Sequence, residues 1–221
     1  MRELGRHAWA ELADELAAMV IRGELKPGQR LVETEIAAQF EISRGPVRTA
    51  LADLAQRGLA EEHGRRGLMV VEMTARDIRE LYTVRMALEQ AAIAELAKRT
   101  AGSLPTRLAA LVDRLDEAAR AGDHPTAVEA DLAFHRELCA ATGNGRLLRA
   151  WESLADQIRL VIGTLQDEEQ AVVTPLYADH RLIFDALRAG TADVAKRLLD
   201  VHLVNTRDAM LSRIGRDEAP Q

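Results

Sequence analysis

The stretch EISRGPVRTALADLAQRGL, residues 41–59, predicts a helix with one buried and one exposed face. Ser43 has a side chain typical of a helix N-cap, and Pro46 is tolerated in a first helical turn. Gly58 marks the end of the helix. The spacing of three apolar side chains predicts that one face packs on a small core. These side chains are Val47, Leu51 and Leu54.

The segments on either side of this helix complete a familiar order of elements. Residues 8–22 predict a first helix, and residues 34–40 predict a short second one. After the third helix, the strings LAEEH, GRRG and LMVVE read as strand, turn and strand. A helix, a short helix, a turn, a third helix and a hairpin, in this order, are the elements of a winged helix-turn-helix. We therefore predict such a domain over residues 1–72.

Basic side chains cluster where such a domain meets DNA. Arg44 and Arg48 are four residues apart, so they project from one side of the helix start. An arginine can donate two hydrogen bonds to guanine or bind a phosphate, so both side chains could contact DNA. The alternative interpretation is that they are only solvated charges on the helix surface. The HGRRG turn, residues 63–67, is expected of a wing that reaches the backbone or minor groove. The predicted contacts are Thr34, Ser43, Arg44, Arg48, Thr49, His63, Gly64, Arg65 and Arg66.

From Thr74 onward the sequence has helical periodicity almost to its end. The string TARD places Asp77 three residues after Thr74, which resembles a capping box. Residues 73–75 are predicted to be a short linker, and residues 76–221 a mainly helical bundle. The six predicted helices span residues 75–99, 104–121, 125–142, 145–167, 172–189 and 191–213.

Four side chains of metal-ligand type fall on inward-facing helical stripes. Asp131 and His135 lie in the string DLAFH, and His180 and His202 lie in two later helices. A buried carboxylate without a partner costs several kcal/mol, so Asp131 must have one. A hydrogen-bonded core histidine, or a simple Asp131–His135 ion pair, would account for each residue alone. The four together favour a shared divalent metal site, with zinc or nickel as the preferred ion.

Arg85 is a second charged residue in an apolar stripe, between Leu81 and Leu88. Its guanidinium could neutralise the carboxylate of an effector. The alternative is an ion pair with Glu89, four residues on, and both interpretations stay open. Asn205 is a weaker candidate for a hydrogen bond to the same effector.

The bulk composition limits the classes of protein that fit. A net charge of −6 argues against a protein that is basic throughout, but leaves room for a local basic patch. No apolar run is long enough to cross a membrane, and no signal peptide is visible. The single cysteine, Cys139, fits a reducing compartment. We expect a cytoplasmic protein that does not associate with membranes.

The string GELKPGQRLVETEIAAQFEISRGPVRTALADLAQRGLAEEHGRRGLMV, residues 23–70, resembles the GntR superfamily of bacterial transcription regulators. The shared features are a G-x-L-x-P-G turn, an S-R-x-P-V-R helix start and an A-L-x-x-L-x-x-x-G-L exit into the wing. Thr49 departs from the pattern, because the family more often has glutamate there. The resemblance implies a DNA-binding regulator.

Residues 75–213 are similar to the FCD effector domain of the FadR-like branch of these regulators. The similarity lies in ELYTVRMALE, DLAFHRELCAATGNGRLL, DHRLIFDALRAG and AKRLLDVHL. It implies a divalent metal held by a D-x-x-x-H pair and two later histidines, and an effector, commonly a small carboxylate or sugar acid, that completes the coordination. Six helices instead of seven would imply the VanR-type group. The matching positions are Asp131, His135, His180 and His202.

These observations predict a ligand-responsive regulator that is not an enzyme. A homodimer with twofold symmetry would read a palindromic site in double-stranded DNA most simply. One alternative is a metal-dependent hydrolase or oxidase built in a helical bundle. Di-iron bundles use several glutamates and Glu-x-x-His pairs, and the sequence contains no such pair. The other alternative is a regulator whose metal is purely structural.

Overall fold

The computed structural model describes residues 4–98, 104–163 and 170–217. It divides the chain into two compact units, Met1–Met73 and Thr74–Gln221. Described helices account for most of both units, which confirms the mainly helical class. None of these helices is long and apolar enough to cross a membrane.

The first unit is a winged helix-turn-helix, as predicted. Its two strands pair antiparallel, with Ala60 opposite Val70 and Glu62 opposite Leu68, and a 3₁₀ turn at Gly64–Arg66 joins them. Gly67 closes this turn with φ of 78°, a conformation that favours glycine. The elements are α1 (Leu4–Ile21), α2 (Glu33–Gln39), α3 (Arg44–Gln56), β1 (Ala60–Glu62) and β2 (Leu68–Val70).

The apolar face of α3 packs on α1, and this contact orients the start of α3 toward solvent. The three side chains predicted to face the core are buried: Val47, Leu51 and Leu54. Ser43 occupies the N-cap position with an extended backbone, but its side chain makes no capping hydrogen bond to the described helix. Its hydroxyl is therefore exposed beside Arg44 and does not stabilise the helix as the sequence predicted.

The second unit contains only helices among its described residues. The elements are α4 (Ala75–Leu96), α5 (Thr106–Ala121), α6 (His124–Ala141), α7 (Gly145–Glu152), α8 (Ala155–Gly163), α9 (Gln170–Arg188) and α10 (Ala192–Asp217).

The predicted helix over residues 145–167 is two helices, so the six-helix count is one too few for the described residues. The Ser153 hydroxyl donates to the carbonyl oxygen of Ala150 at 2.7 Å, and the Leu154 amide donates to that of Trp151 at 3.0 Å. These contacts to residues three back tighten the turn and end α7, because a serine side chain competes for helical acceptors. The predicted helix ends at residues 99 and 164–167 lie outside the described residues.

Side-chain caps fix the starts of the two helices that contribute most to the buried polar cluster described below. The capping box before α4 is confirmed: Asp77 N donates to Thr74 Oγ1 at 3.2 Å, and Thr74 N donates to Asp77 Oδ2 at 2.9 Å. Asp123 accepts from Thr126 N at the start of α6. These caps set where each helix begins, and so which residues face inward.

Candidate metal centre and DNA-binding surface

Three helices of the second unit bring four ligand-type side chains to one buried point. Asp131 and His135 lie on one face of α6 because they are four residues apart. His180 comes from α9 and His202 from α10, and all four residues are buried. One potential ligand atom from each residue lies within 4.8 Å of the others. The structure therefore brings together every residue of the predicted metal set.

The distances within this cluster fit several ligands around one ion. The Nε2 atom of His135 lies 3.1 Å from Nε2 of His180 and 3.2 Å from Nε2 of His202. Oδ1 of Asp131 lies 3.0 Å from Nε2 of His180. Atoms that each sit about 2.0–2.1 Å from one zinc ion lie roughly 3 Å from each other. The donor set and spacing therefore suit a single divalent ion.

A simple Asp131–His135 ion pair does not account for the arrangement. Oδ1 of Asp131 is 3.8 Å from Nε2 of His135, beyond hydrogen-bond distance. Within the described residues, Asp131 Oδ2, His202 Nδ1 and Arg85 Nη2 are buried without a hydrogen-bond partner. Buried polar atoms are rarely left so, and these three atoms fit an ion and a ligand bound at the cluster.

The electrostatics of the cluster favour the protonation states that bind metal. Burial raises the pKa of Asp131, but its interaction with His135 and the hydrogen bond from His180 outweigh this effect and hold the pKa well below its usual range. Burial, together with the charge of His180, lowers the pKa of His202 to about 4. At neutral pH the cluster therefore offers an ionised carboxylate and a neutral His202, and metal ligands must be in these states.

Arg85 lies in the same interior and adopts the ion pair that the sequence left open. Its Nε donates to Oε1 of Glu89 at 2.9 Å, and its Nη1 donates to the Tyr82 hydroxyl at 3.2 Å. Its Nη2 is 3.9 Å from Oδ2 of Asp131 and has no hydrogen-bond partner among the described residues. The ion pair with Glu89 thus leaves one Arg85 donor facing the cluster. Asn205 is exposed on α10, so it does not line this interior.

Glu89 has two further contacts that the sequence did not predict. Its Oε2 lies 2.6 Å from Nδ1 of His135, and its Oε1 accepts from Nε1 of Trp151 at 2.8 Å. Burial raises the pKa of Glu89, but its interactions with His135 and with the guanidinium of Arg85 outweigh this effect and lower the pKa to about 2. The inward stripe of α4 places Glu89 in the core, but nothing in the sequence identifies Trp151 as its partner.

The predicted DNA-contact arginines of the first unit form one exposed group at the start of α3. The side chains of Arg44 and Arg48 are 61% and 68% exposed. Both bind Glu33 of α2: Arg48 Nε donates to Oε1 at 3.0 Å, and Arg44 Nη2 donates to Oε2 at 3.1 Å. Hydrogen bonds from Arg48 and Arg44 lower the pKa of Glu33. Glu33 was not predicted, because it precedes these arginines by 11 and 15 residues, which is no helical spacing.

The other predicted DNA contacts are exposed on the same unit. Thr34 lines a groove together with Arg44 and Arg48. The Thr49 hydroxyl donates to the Gly45 carbonyl at 3.3 Å. His63 pairs with Glu61 at 2.9 Å at the base of the 3₁₀ turn. The remaining predicted side chains, Arg65 and Arg66, are exposed at that turn.

A winged helix-turn-helix followed by a helical unit with a buried histidine and aspartate cluster defines a DNA-binding regulator class. Residues 9–70 match the family model described as bacterial regulatory proteins, gntR family, and residues 80–205 match the FCD domain. The chain belongs to the GntR family of bacterial regulatory proteins that carry an FCD domain. It is a DNA-binding transcription regulator and not an enzyme.

Named relatives are similar to the chain over most of their length. The chain is 30% identical over 194 residues, 88% of this chain and 84% of the relative, to a probable D-xylose utilization operon transcriptional repressor of Paenarthrobacter nicotinovorans. It is 27% identical to the gluconate operon transcriptional repressor of Bacillus subtilis, over 86% of this chain and 79% of that one. A crystal structure of a GntR transcriptional regulator from Rhodococcus sp. RHA1 superposes with a TM-score of 0.77 at 30% identity, covering 94% and 97% of the two chains.

The two exposed arginines can be tested by substitution for their part in DNA binding. We expect the double substitution Arg44→Ala and Arg48→Ala to weaken binding to random-sequence duplex DNA. The negative slope of log K against log salt should become less steep, by about one for each lost phosphate contact. The measurement is a salt titration of duplex binding by fluorescence anisotropy. Arg22→Ala is the control, because Arg22 pairs with Glu15 and Glu24 on the same unit. Unchanged affinity and slope in the double variant would contradict the assignment.

The position of Glu33 predicts a change in sequence discrimination. Glu33→Gln removes a negative charge that holds both arginines, so we expect tighter binding to random duplexes and weaker preference among sequences. The measurement is selection from a randomised duplex pool followed by sequencing. The control is Glu35→Gln, which removes the same charge from an exposed position in α2. If both variants change binding equally, the effect is net charge alone and Glu33 has no special part.

Proposed function

We propose that this regulator holds a divalent metal, zinc or nickel, through Asp131, His135, His180 and His202. The observation that carries the proposal is the convergence of three imidazoles and one carboxylate inside the bundle, with one ligand atom from each within 4.8 Å of the others. Three nitrogens and one oxygen suit zinc or nickel, and water or a ligand would join these four side chains by raising the coordination number of the ion above four. When bound, the metal would supply a Lewis-acidic centre that takes an oxygen donor of an effector.

The effector that fits this interior is a small carboxylate or sugar acid. Arg85 Nη2 is buried and unpaired among the described residues, and it lies on the Asp131 side of the cluster. A carboxylate that reached both the metal and this guanidinium edge would satisfy the unpaired donor with a charge-assisted hydrogen bond. Two relatives are named as repressors of D-xylose utilization and gluconate operons, which supports an effector derived from a sugar. Asn205 is not needed in this proposal.

The same proposal includes a homodimer on a palindromic site in double-stranded DNA. Each protomer would place the start of α3 in the major groove and its wing against the backbone, because two identical readers match a twofold-symmetric site. The effector would favour one of two protein states, with a coupling free energy of about 1–3 kcal/mol. The contact residues would be Thr34, Ser43, Arg44, Arg48, Thr49, His63, Gly64, Arg65 and Arg66.

The deciding experiment is a thermal unfolding screen of the zinc-loaded protein against carboxylates and sugar acids, with a chelator-treated sample beside it. An effector that binds only the folded state raises stability by about 2.7 kcal/mol at a hundredfold excess over Kd. We expect a shift that depends on the metal. No shift with any acid, together with a large loss of stability on chelation, would indicate a structural metal instead.

A ligand variant tests the metal set directly. We expect Asp131→Asn to weaken zinc binding by more than the roughly 10- to 100-fold that loss of an outer-shell partner costs, because it removes the charged ligand. Competition with a chromophoric chelator measures the Kd. Glu137→Gln is the matched control, since Glu137 lies on the same helix and pairs with Arg107 at 3.5 Å. Equal zinc affinity of Asp131→Asn and the wild type would exclude Asp131 as a ligand.

A further inference from the structure

One buried carboxylate, that of Glu89, receives three donors from three helices. Arg85 of its own helix α4 donates to Oε1 at 2.9 Å, and Trp151 of α7 donates to the same oxygen at 2.8 Å. Oε2 contacts Nδ1 of His135, on α6, at 2.6 Å. Glu89 and Arg85 are both fully buried. A carboxylate in this position, with each oxygen in use, has no freedom to turn away from His135.

The chemistry of the contact decides which nitrogen of His135 carries a proton. An ionised carboxylate only accepts hydrogen bonds, so Nδ1 of His135 must be the donor. A neutral imidazole has one N–H, and Nε2 therefore keeps a lone pair. The Nε2 atom that carries this lone pair lies 3.1 Å from Nε2 of His180 and 3.2 Å from Nε2 of His202, within the cluster.

We propose that Glu89 is a positioning residue that fixes the tautomer and the ring orientation of His135, so that Nε2 faces the metal. The inference rests on the proposed metal site. A carboxylate behind a ligating histidine holds the ring and raises its basicity, and loss of such a partner commonly costs 10- to 100-fold in metal affinity. Arg85 and Trp151 hold Glu89, and Glu89 holds His135.

The other histidine with a carboxylate behind it provides an internal comparison. Asp179 Oδ2 is 3.6 Å from Nδ1 of His202, outside hydrogen-bond distance, and the Asp179 side chain is 28% exposed. Asp179 therefore constrains His202 less than Glu89 constrains His135. Replacing Asp179 by asparagine is expected to change zinc affinity less than replacing Glu89 by glutamine.

Glu89 also sets the direction of the guanidinium that we assign to the effector. Because Nε of Arg85 is bound to Oε1, its Nη2 is turned toward Asp131, 3.9 Å from Oδ2. The metal ligand His135 and the effector group Arg85 thus depend on the two oxygens of one side chain. Trp151→Phe removes one donor from Oε1 and leaves both of these contacts, so its expected effect on zinc affinity is smaller than that of Glu89→Gln.

The test uses the metal-free full chain and has two readouts. Long-range ¹H–¹⁵N spectra of the imidazoles report which nitrogen is protonated, and His135→Gln assigns the signal of His135. We expect the Nδ1–H tautomer in the wild type and a mixture in Glu89→Gln, because an amide donates as well as accepts. Chelator competition is expected to show zinc binding 10- to 100-fold weaker in Glu89→Gln and unchanged in the control Glu137→Gln.

Each outcome separates the positioning role from the metal proposal. A wild-type His135 protonated at Nε2 would overturn the inference, even if Glu89→Gln failed to fold. A variant that keeps the pure Nδ1–H tautomer and wild-type zinc affinity would also overturn it. If the wild type bound no zinc, the proposed metal function would fail, whereas the tautomer measurement would still decide whether Glu89 fixes His135.

Discussion

The interior of the second unit depends on burying charges that compensate one another. Arg85, Glu89 and Asp131 lie in the core together with three imidazoles, where an unpaired ion costs several kcal/mol. Glu89 is compensated by its donors, whereas Asp131 and Arg85 each keep an unpaired atom next to the histidines. The helices α4, α6, α9 and α10 must therefore satisfy the geometry of this polar group as well as bury their apolar faces.

Carboxylates play the same physical part in both units of the chain. Glu33 holds Arg44 and Arg48 at the start of α3, and Glu89 holds Arg85 and His135 in the bundle. In neither place is the acid the group proposed to touch DNA, metal or effector. A side chain held in its binding geometry before the ligand arrives loses less conformational entropy on binding. The exposed ion pairs of Glu33 contribute little to the free energy of unfolding, whereas the buried ion pair of Glu89 with Arg85 is needed to compensate the charge of both residues.

The sequence predicted the features that follow helical periodicity, and not those that join distant elements. Asp131 and His135 were recognised because they interrupt an apolar stripe at a four-residue spacing, and the four ligands do meet. The break between α7 and α8 was missed, because the i−3 hydrogen bonds around Ser153 leave the apolar pattern unchanged. The bonds of Glu33 to the arginines and of Trp151 to Glu89 join separate helices, and single-sequence spacing carries no signal for them.

Sharing one carboxylate has a thermodynamic consequence for a regulator with both a metal and an effector. Glu89 contacts a proposed metal ligand through Oε2 and the proposed effector group through Oε1. A ligand that drew Arg85 away from Oε1 would change how strongly the Glu89 carboxylate interacts with His135. A metal on His135 would likewise change how strongly Glu89 interacts with Arg85. Linkage requires these two effects on binding free energy to be equal. Under the proposed function, the metal would be part of the sensor, because its affinity and that of the effector would be set through the same side chain.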